Sequence, residues 1–177
     1  QDLRVSYPDG MVPVSRSQIV RMHASSGTTG KSTVIFYTQK DIDDWADLVA
    51  RCMVATGTHR DDVFQNMMGY GLFTGGLGLH YGAERLGCMV IPASSGNTLK
   101  QIQLMQDFET TVIHITPSYA LHLVEVINEQ GIDPHQMLVS KAYLGAEPYS
   151  EETRLKIENQ FGIDAYNSYG MSEMNGP

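Results

Sequence analysis

His23-Ala24-Ser25-Ser26-Gly27-Thr28-Thr29-Gly30-Lys31-Ser32-Thr33, HASSGTTGKST, crowds hydroxyls, two glycines and a lysine into the span from Ser25 to Lys31. Glycines let successive backbone N–H groups converge, hydroxyls add donors and Lys31 adds a point charge. The segment is composed as a seat for clustered anionic oxygens such as a phosphate chain. An ordinary Ser/Gly turn is the plain alternative. What flanks the segment decides the fold. Ile19 to His23 before it and Ser32 to Thr38 after it are rich in β-branched and aromatic residues, which predicts a strand on either side.

That flanking pattern separates the segment from the nucleotide triphosphatase loop, Gly-x-x-x-x-Gly-Lys-Ser/Thr, which opens directly into a helix. The first glycine of that pattern would fall on Ser25, and a helix would have to run through Ser32 to Tyr37. The β-rich sequence opposes it. A loop joining two strands can wrap phosphates with its own amides and hydroxyls, without a helix dipole beneath them. With no core of its own, it is expected to be mobile until a phosphate-bearing ligand is bound.

The 177 residues are 42% hydrophobic and 18% charged, enough for one substantial core. A formal charge of -8 argues against a nucleic-acid partner, and no apolar run approaches the roughly 20 residues needed to span a bilayer. Cys52 and Cys88 are too few for a disulfide framework, and the six histidines show no ligand-pair spacing. The start at Gln1, without a signal-like leader, fits a cytoplasmic protein and equally a piece of a longer one.

Beyond residues 1–18, an irregular approach with Pro8-Asp9-Gly10 and Pro13, helix and strand alternate. Helical spacing is expected over Asp41 to Ala55, Gly75 to Gly87, Leu99 to Phe108, Ser118 to Glu129 and after Ser150. Extended segments are expected at Val63 to Met68, Cys88 to Pro92, Thr111 to Ile115, Leu138 to Leu144 and Asp164 to Tyr169. The fold class is therefore α/β, a largely parallel sheet with helices on both faces. Such sheets bind ligands beyond the carboxyl ends of their strands. Four unusual segments fall there: Gly69 to Gly76, Thr116-Pro117-Ser118-Tyr119, Gly145-Ala146-Glu147-Pro148 and Tyr169 to Glu173.

Taken in order and at these separations, SSGTTGK, YGLFTGGLGLHYG, TPSY, GAEP and YGMSE resemble the adenylate-forming superfamily, and within it the phenylacetate-coenzyme A ligase family. The likeness runs from about Asp2 to Pro177. Ser32 stands where that family usually has proline, and Met171 where it has leucine; neither change removes a phosphate or metal contact.

The resemblance implies a cytoplasmic ligase of aromatic acid catabolism that joins a small-molecule carboxylic acid to AMP, releasing pyrophosphate, and then passes the acyl group to coenzyme A. It further implies that Ser25, Ser26, Gly27, Thr28, Thr29, Gly30 and Lys31 hold the β- and γ-phosphates of ATP. Glu173 would bind Mg²⁺ and Ser172 would donate to the α-phosphate. Gly145, Ala146, Glu147 and Pro148 would frame the adenine with Tyr169 and Gly170, the tyrosine stacking on the base. Tyr70, Phe73, Tyr119 and Ala146 are candidates for an apolar, aromatic-lined acid pocket. No cation accompanies them to recognise a second carboxylate, so a monocarboxylic aryl acid is expected.

In that family a ribose-binding acid, a phosphate-binding arginine and the adenylating lysine follow later, the last on a mobile C-terminal domain. The resemblance therefore implies that residues 19–177 are part of the large N-terminal ATP- and acid-binding domain, inert alone, with exposed sheet edges favouring self-association into a homodimer. Two alternatives stay open: an acyl-protein synthetase sharing the adenylation step, and a nucleotide-binding module with no chemistry of its own.

Overall fold

A computed structural model describes residues 2–25, 32–171 and 174. The candidate residues Ser26, Gly27, Thr28, Thr29, Gly30, Lys31, Ser172 and Glu173 lie outside that set. The approach segment carries a one-turn helix, α1 (Asp2–Val5), and a 3-10 turn over Arg16–Gln18. Then β1 (Ile19–Ala24) pairs antiparallel with β2 (Val34–Thr38), with Ala24 opposite Val34. The candidate phosphate loop thus joins two strands, and the helix demanded by the triphosphatase reading is replaced by β2.

Thr38 ends β2 and starts α2 (Gln39–Ala55) through a capping box. Its Oγ1 accepts from the Asp41 amide, and the Asp41 carboxylate accepts from the Thr38 amide at 2.8 Å. Ile42, Trp45, Val49 and Met53 recur at helical spacing and form the buried stripe of α2. The chain continues through β3 (Val63–Asn66), α3 (Thr74–Leu86), β4 (Met89–Ile91), α4 (Thr98–Asp107) and β5 (Val112–Ile115). It ends with α5 (Pro117–Glu129), β6 (Lys141–Gly145), α6 (Glu151–Phe161) and β7 (Asp164–Ser168).

These five later strands form one parallel sheet in the order β4-β3-β5-β6-β7. Period-two alternation divides its side chains between two cores. Ile113, Ile115, Ala142, Leu144 and Ala165 face a cluster with Ile102 of α4, Leu123 and Ile127 of α5, and Ile157 and Phe161 of α6. Phe64, Val112 and Tyr143 face the other way, onto Trp45, Val49 and Met53 of α2 and Leu79 and Ala83 of α3. Helices therefore cover both faces, and each fully buried large side chain contributes about 1.5–3 kcal/mol.

The chain leaves β3 toward β4 on one side, then crosses back to β5 on the other. With crossovers of one hand, that reversal sends α3 to one face and α4 to the opposite face. It also opens a crevice beyond the carboxyl ends of β3 and β5.

Candidate functional site

A cavity of ≈ 460 Å³ runs from that crevice along the carboxyl ends of β6 and β7. Met68 after β3, His114 on β5, the turn Gly145 to Tyr149 after β6, and Asn167 to Gly170 at the end of β7 line it. Phe73, Thr74 and Gly75 at the start of α3 close one side. Its size suits a nucleotide or a nucleotide-linked acid, since sites for such ligands run to about 300–1,000 Å³. A second cavity, of ≈ 390 Å³, lies between residues 6–14 and β2, away from these strand ends. No glycine-rich turn contributes to it.

The β6 turn is shaped by close approach. A Cβ on Gly145 would stand 2.9 Å from the Ser168 carbonyl oxygen, so only glycine lets β6 end this near β7. Ala146 follows with φ 66°, a left-handed conformation sparsely populated by residues with a side chain. Glu147 then turns its carboxylate outward onto α5. Tyr169 is 77% exposed, leaving its ring face open beside the cavity.

On the other side, the base of the candidate phosphate loop is pinned. Ser25 donates its amide to the Thr33 carbonyl at 3.0 Å, and Ser25 Oγ accepts from the Thr33 amide at 2.9 Å. The Leu72 carbonyl accepts both the Ala24 amide and His23 Nδ1, each at 3.0 Å. Leu72 precedes Phe73 of the cavity wall, so the end of β1 is tied to the segment that closes one side of the cavity. His23 is buried, and desolvation lowers its pKa. It is a neutral post donating from Nδ1.

His114 forms part of the floor. It is wholly buried, and desolvation holds its pKa down to about 3. Its Nδ1 sits 3.0 Å from Asn66 Oδ1, while Asn66 Nδ2 donates to the Gly76 carbonyl at 2.6 Å and Oδ1 accepts the Met68 amide at 3.2 Å. Asn66 thereby ties β3, β5 and α3 together beneath the cavity. The floor is polar in composition and uncharged at neutral pH.

Of the acid-pocket candidates, Phe73 and Ala146 line the cavity and Tyr70 and Tyr119 do not. The Tyr70 hydroxyl lies 3.0 Å from His80 Nδ1, and burial pushes its pKa up to about 12. Tyr119 sits in the first turn of α5 with its hydroxyl 3.2 Å from Thr98 Oγ1. The sequence reading did not single out Met68, His114, Tyr149, Asn167 or Ser168 of the lining, and had Thr74 and Gly75 only as part of the Gly69 to Gly76 segment. A histidine inside the otherwise apolar strand Val-Ile-His-Ile was the available signal for His114.

The chain belongs to the AMP-binding enzyme family, whose model matches residues 4–177. It is 54% identical over 176 residues to the phenylacetate-coenzyme A ligase of Pseudomonas putida, covering 99% of this chain and 40% of that protein. It is 52% identical over 178 residues to the enzyme of the same name from Escherichia coli strain K12, covering 100% and 41%. Among solved structures, an open 2-hydroxyisobutyryl-CoA ligase in complex with 2-HIB-AMP and CoA superposes with a TM-score of 0.88 at 27% identity, over 98% of this chain and 42% of that one. The chain thus spans about two-fifths of the length of the relatives it matches.

Proposed function

We propose that the chain forms the acyl-adenylate seat of an ATP-dependent aryl acid:coenzyme A ligase, with phenylacetate the leading substrate. In the whole protein the acid and ATP give acyl-AMP and pyrophosphate, and coenzyme A then displaces AMP to give the thioester. The carrying observation is the wall in which the Gly145 to Pro148 turn after β6 meets open-faced Tyr169 after β7. A flat base fits between a glycine-flattened turn and an aromatic ring, gaining dispersion and stacking without a charged partner.

Residues of the chain would divide the work. The backbone of the Gly145 to Pro148 turn and the Tyr169 ring hold adenine, and Gly170 lets the chain pass close to the nucleotide. Ser25 to Lys31 seat the leaving phosphates, supplying positioned donors where negative charge accumulates. Phe73, Ala146 and the uncharged His114 floor hold the apolar body of the acid. Neither Lys nor Arg contributes to the described cavity lining, which supports a monocarboxylic substrate. The described residues hold no group of three His, Cys, Asp or Glu side chains able to bind a metal. Glu173 would hold Mg²⁺, which would screen the charge of the phosphates.

The test is pyrophosphate release by the whole protein with ATP, Mg²⁺ and phenylacetate, benzoate, short fatty acids or dicarboxylates. Release with phenylacetate, and AMP formation that requires coenzyme A, are expected. A preference for dicarboxylates would overturn the pocket reading. AMP formation indifferent to coenzyme A would favour an acyl-protein synthetase.

A further inference from the structure

We infer that Glu147 is a positioning residue rather than a nucleotide contact: its carboxylate clamps the β6 turn onto the first turn of α5 and so holds Ala146 in its left-handed conformation at the cavity wall. This rests on the reading of that wall as the adenine side of the site. Ser118 donates its amide to Glu147 Oε2 at 3.1 Å and its hydroxyl to Oε1 at 2.8 Å, engaging both carboxylate oxygens. The two residues are 29 positions apart and belong to the strand-end segments after β5 and β6.

The clamp completes the start of α5. Thr116 is the N-cap and its Oγ1 accepts the Tyr119 amide at 3.3 Å, while Pro117 has no N–H to satisfy. Ser118 is left as the first-turn donor that Thr116 does not serve, and Glu147 takes it. A carboxylate there also meets the positive end of a 13-residue helix. The two bonds hold the carboxylate on α5. Ala146 is then fixed from either side: by Gly145, which the Ser168 carbonyl crowds, and by Glu147, which α5 anchors. Release of Glu147 would let Ala146 relax to negative φ and move the wall.

The experiment measures, in the whole protein, the dissociation constant of phenylacetyl sulfamoyl-adenosine, the KM for ATP, kcat, and urea unfolding, for Glu147→Gln, Glu147→Ala, Ser118→Ala and the double variant E147A/S118A. Glu147→Ala is expected to weaken the adenylate analogue and raise the ATP KM about tenfold with kcat within about threefold, as a displaced wall would. Glu147→Gln, which keeps one acceptor, recovers most of that loss. Ser118→Ala gives a smaller loss of the same kind, and the double variant is no worse than Glu147→Ala, as residues acting through one contact require. A silent Ser118→Ala beside a damaging Glu147→Ala would make Glu147 a direct ligand contact and overturn the proposal. Loss of stability with unchanged adenylate affinity would reduce it to an ordinary helix cap. If the wild type bound neither AMP nor the analogue, the functional reading would fail and take the positioning role with it, while coupling between positions 118 and 147 in urea unfolding would still report the clamp.

Discussion

Single residues divide into those whose role is local and those whose role needs the fold. Tyr169 is of the first kind: the stacking role that the resemblance implies for it rests on its own ring, an aromatic that follows a strand and precedes glycine. Its exposed ring makes the prediction specific. Tyr169→Ala should raise the ATP KM roughly 5- to 150-fold, the equivalent of about 1–3 kcal/mol of base stacking, and Tyr169→Phe should leave it near the wild-type value. His114 is of the second kind. One histidine within Val-Ile-His-Ile reads as a core residue, and only strand order reveals that it floors a cavity. In the unfolded chain His114 binds a proton below about pH 6.5, whereas the native state resists it until about 3. Stability is therefore full above pH 6.5 and falls as pH drops through that window, by up to about 1.4 kcal/mol per pH unit. Buried His23, shifted in the same direction, adds to the slope. Urea unfolding at pH 7.5, 6 and 5 should show the decline, and His114→Phe should lessen it; equal stability at pH 7.5 and 5 would contradict the assignment.

Elements were legible where a period could be read along the chain. The stripe of α2 and the strands flanking the phosphate-type loop fall where spacing and β-branching predict. The extended segment expected from Leu138 begins as paired strand only at Lys141, opposite Val112, and Leu138 is left 59% exposed. Apolar character there signalled proximity to the core rather than a place in the ladder. Buried polar ties between elements were not legible, because they join residues far apart in sequence. Gln65 on β3 donates to Gln101 Oε1 of α4 at 2.7 Å and accepts from Thr110 Oγ1 at 2.8 Å, closing a network no local pattern announces. The glycines of α3 have a similar hidden cause. A Cβ on Gly78 would lie 2.6 Å from the Trp45 ring, and one on Gly82 would collide with Val49, so α2 packs against a face without side chains. Gly82→Ala gains helix propensity but overpacks that seam, and we predict a net destabilisation of about 1–3 kcal/mol by denaturant titration. A neutral or stabilising result would mean that the two helices can part without loss.

Across the whole molecule, the order β4-β3-β5-β6-β7 brings three of the four strand-end segments to one cavity, through Phe73 to Gly75, Gly145 to Pro148 and Tyr169 with Gly170. Their adjacency was inferable from the parallel α/β pattern; which of them would line the cavity was not, because Tyr119 turns its hydroxyl to Thr98 at the start of α4 while Glu147 stays in the cavity wall with its carboxylate on Ser118. The chain spans about two-fifths of its relatives' length, so the reading predicts that these 177 residues alone fold but release no pyrophosphate from ATP and phenylacetate. Turnover near that of the whole protein would show that the site needs nothing beyond them. β4 and β7 are the sheet's outer strands among the described residues, and self-association of the isolated chain should rise with concentration in sedimentation velocity. The most direct measurement is a crystal structure of the whole protein with phenylacetyl sulfamoyl-adenosine. The prediction is adenine between the Gly145 to Pro148 turn and Tyr169, with the phenyl group toward Phe73 and His114; the ligand seated instead between residues 6–14 and β2 would contradict the assignment of the site.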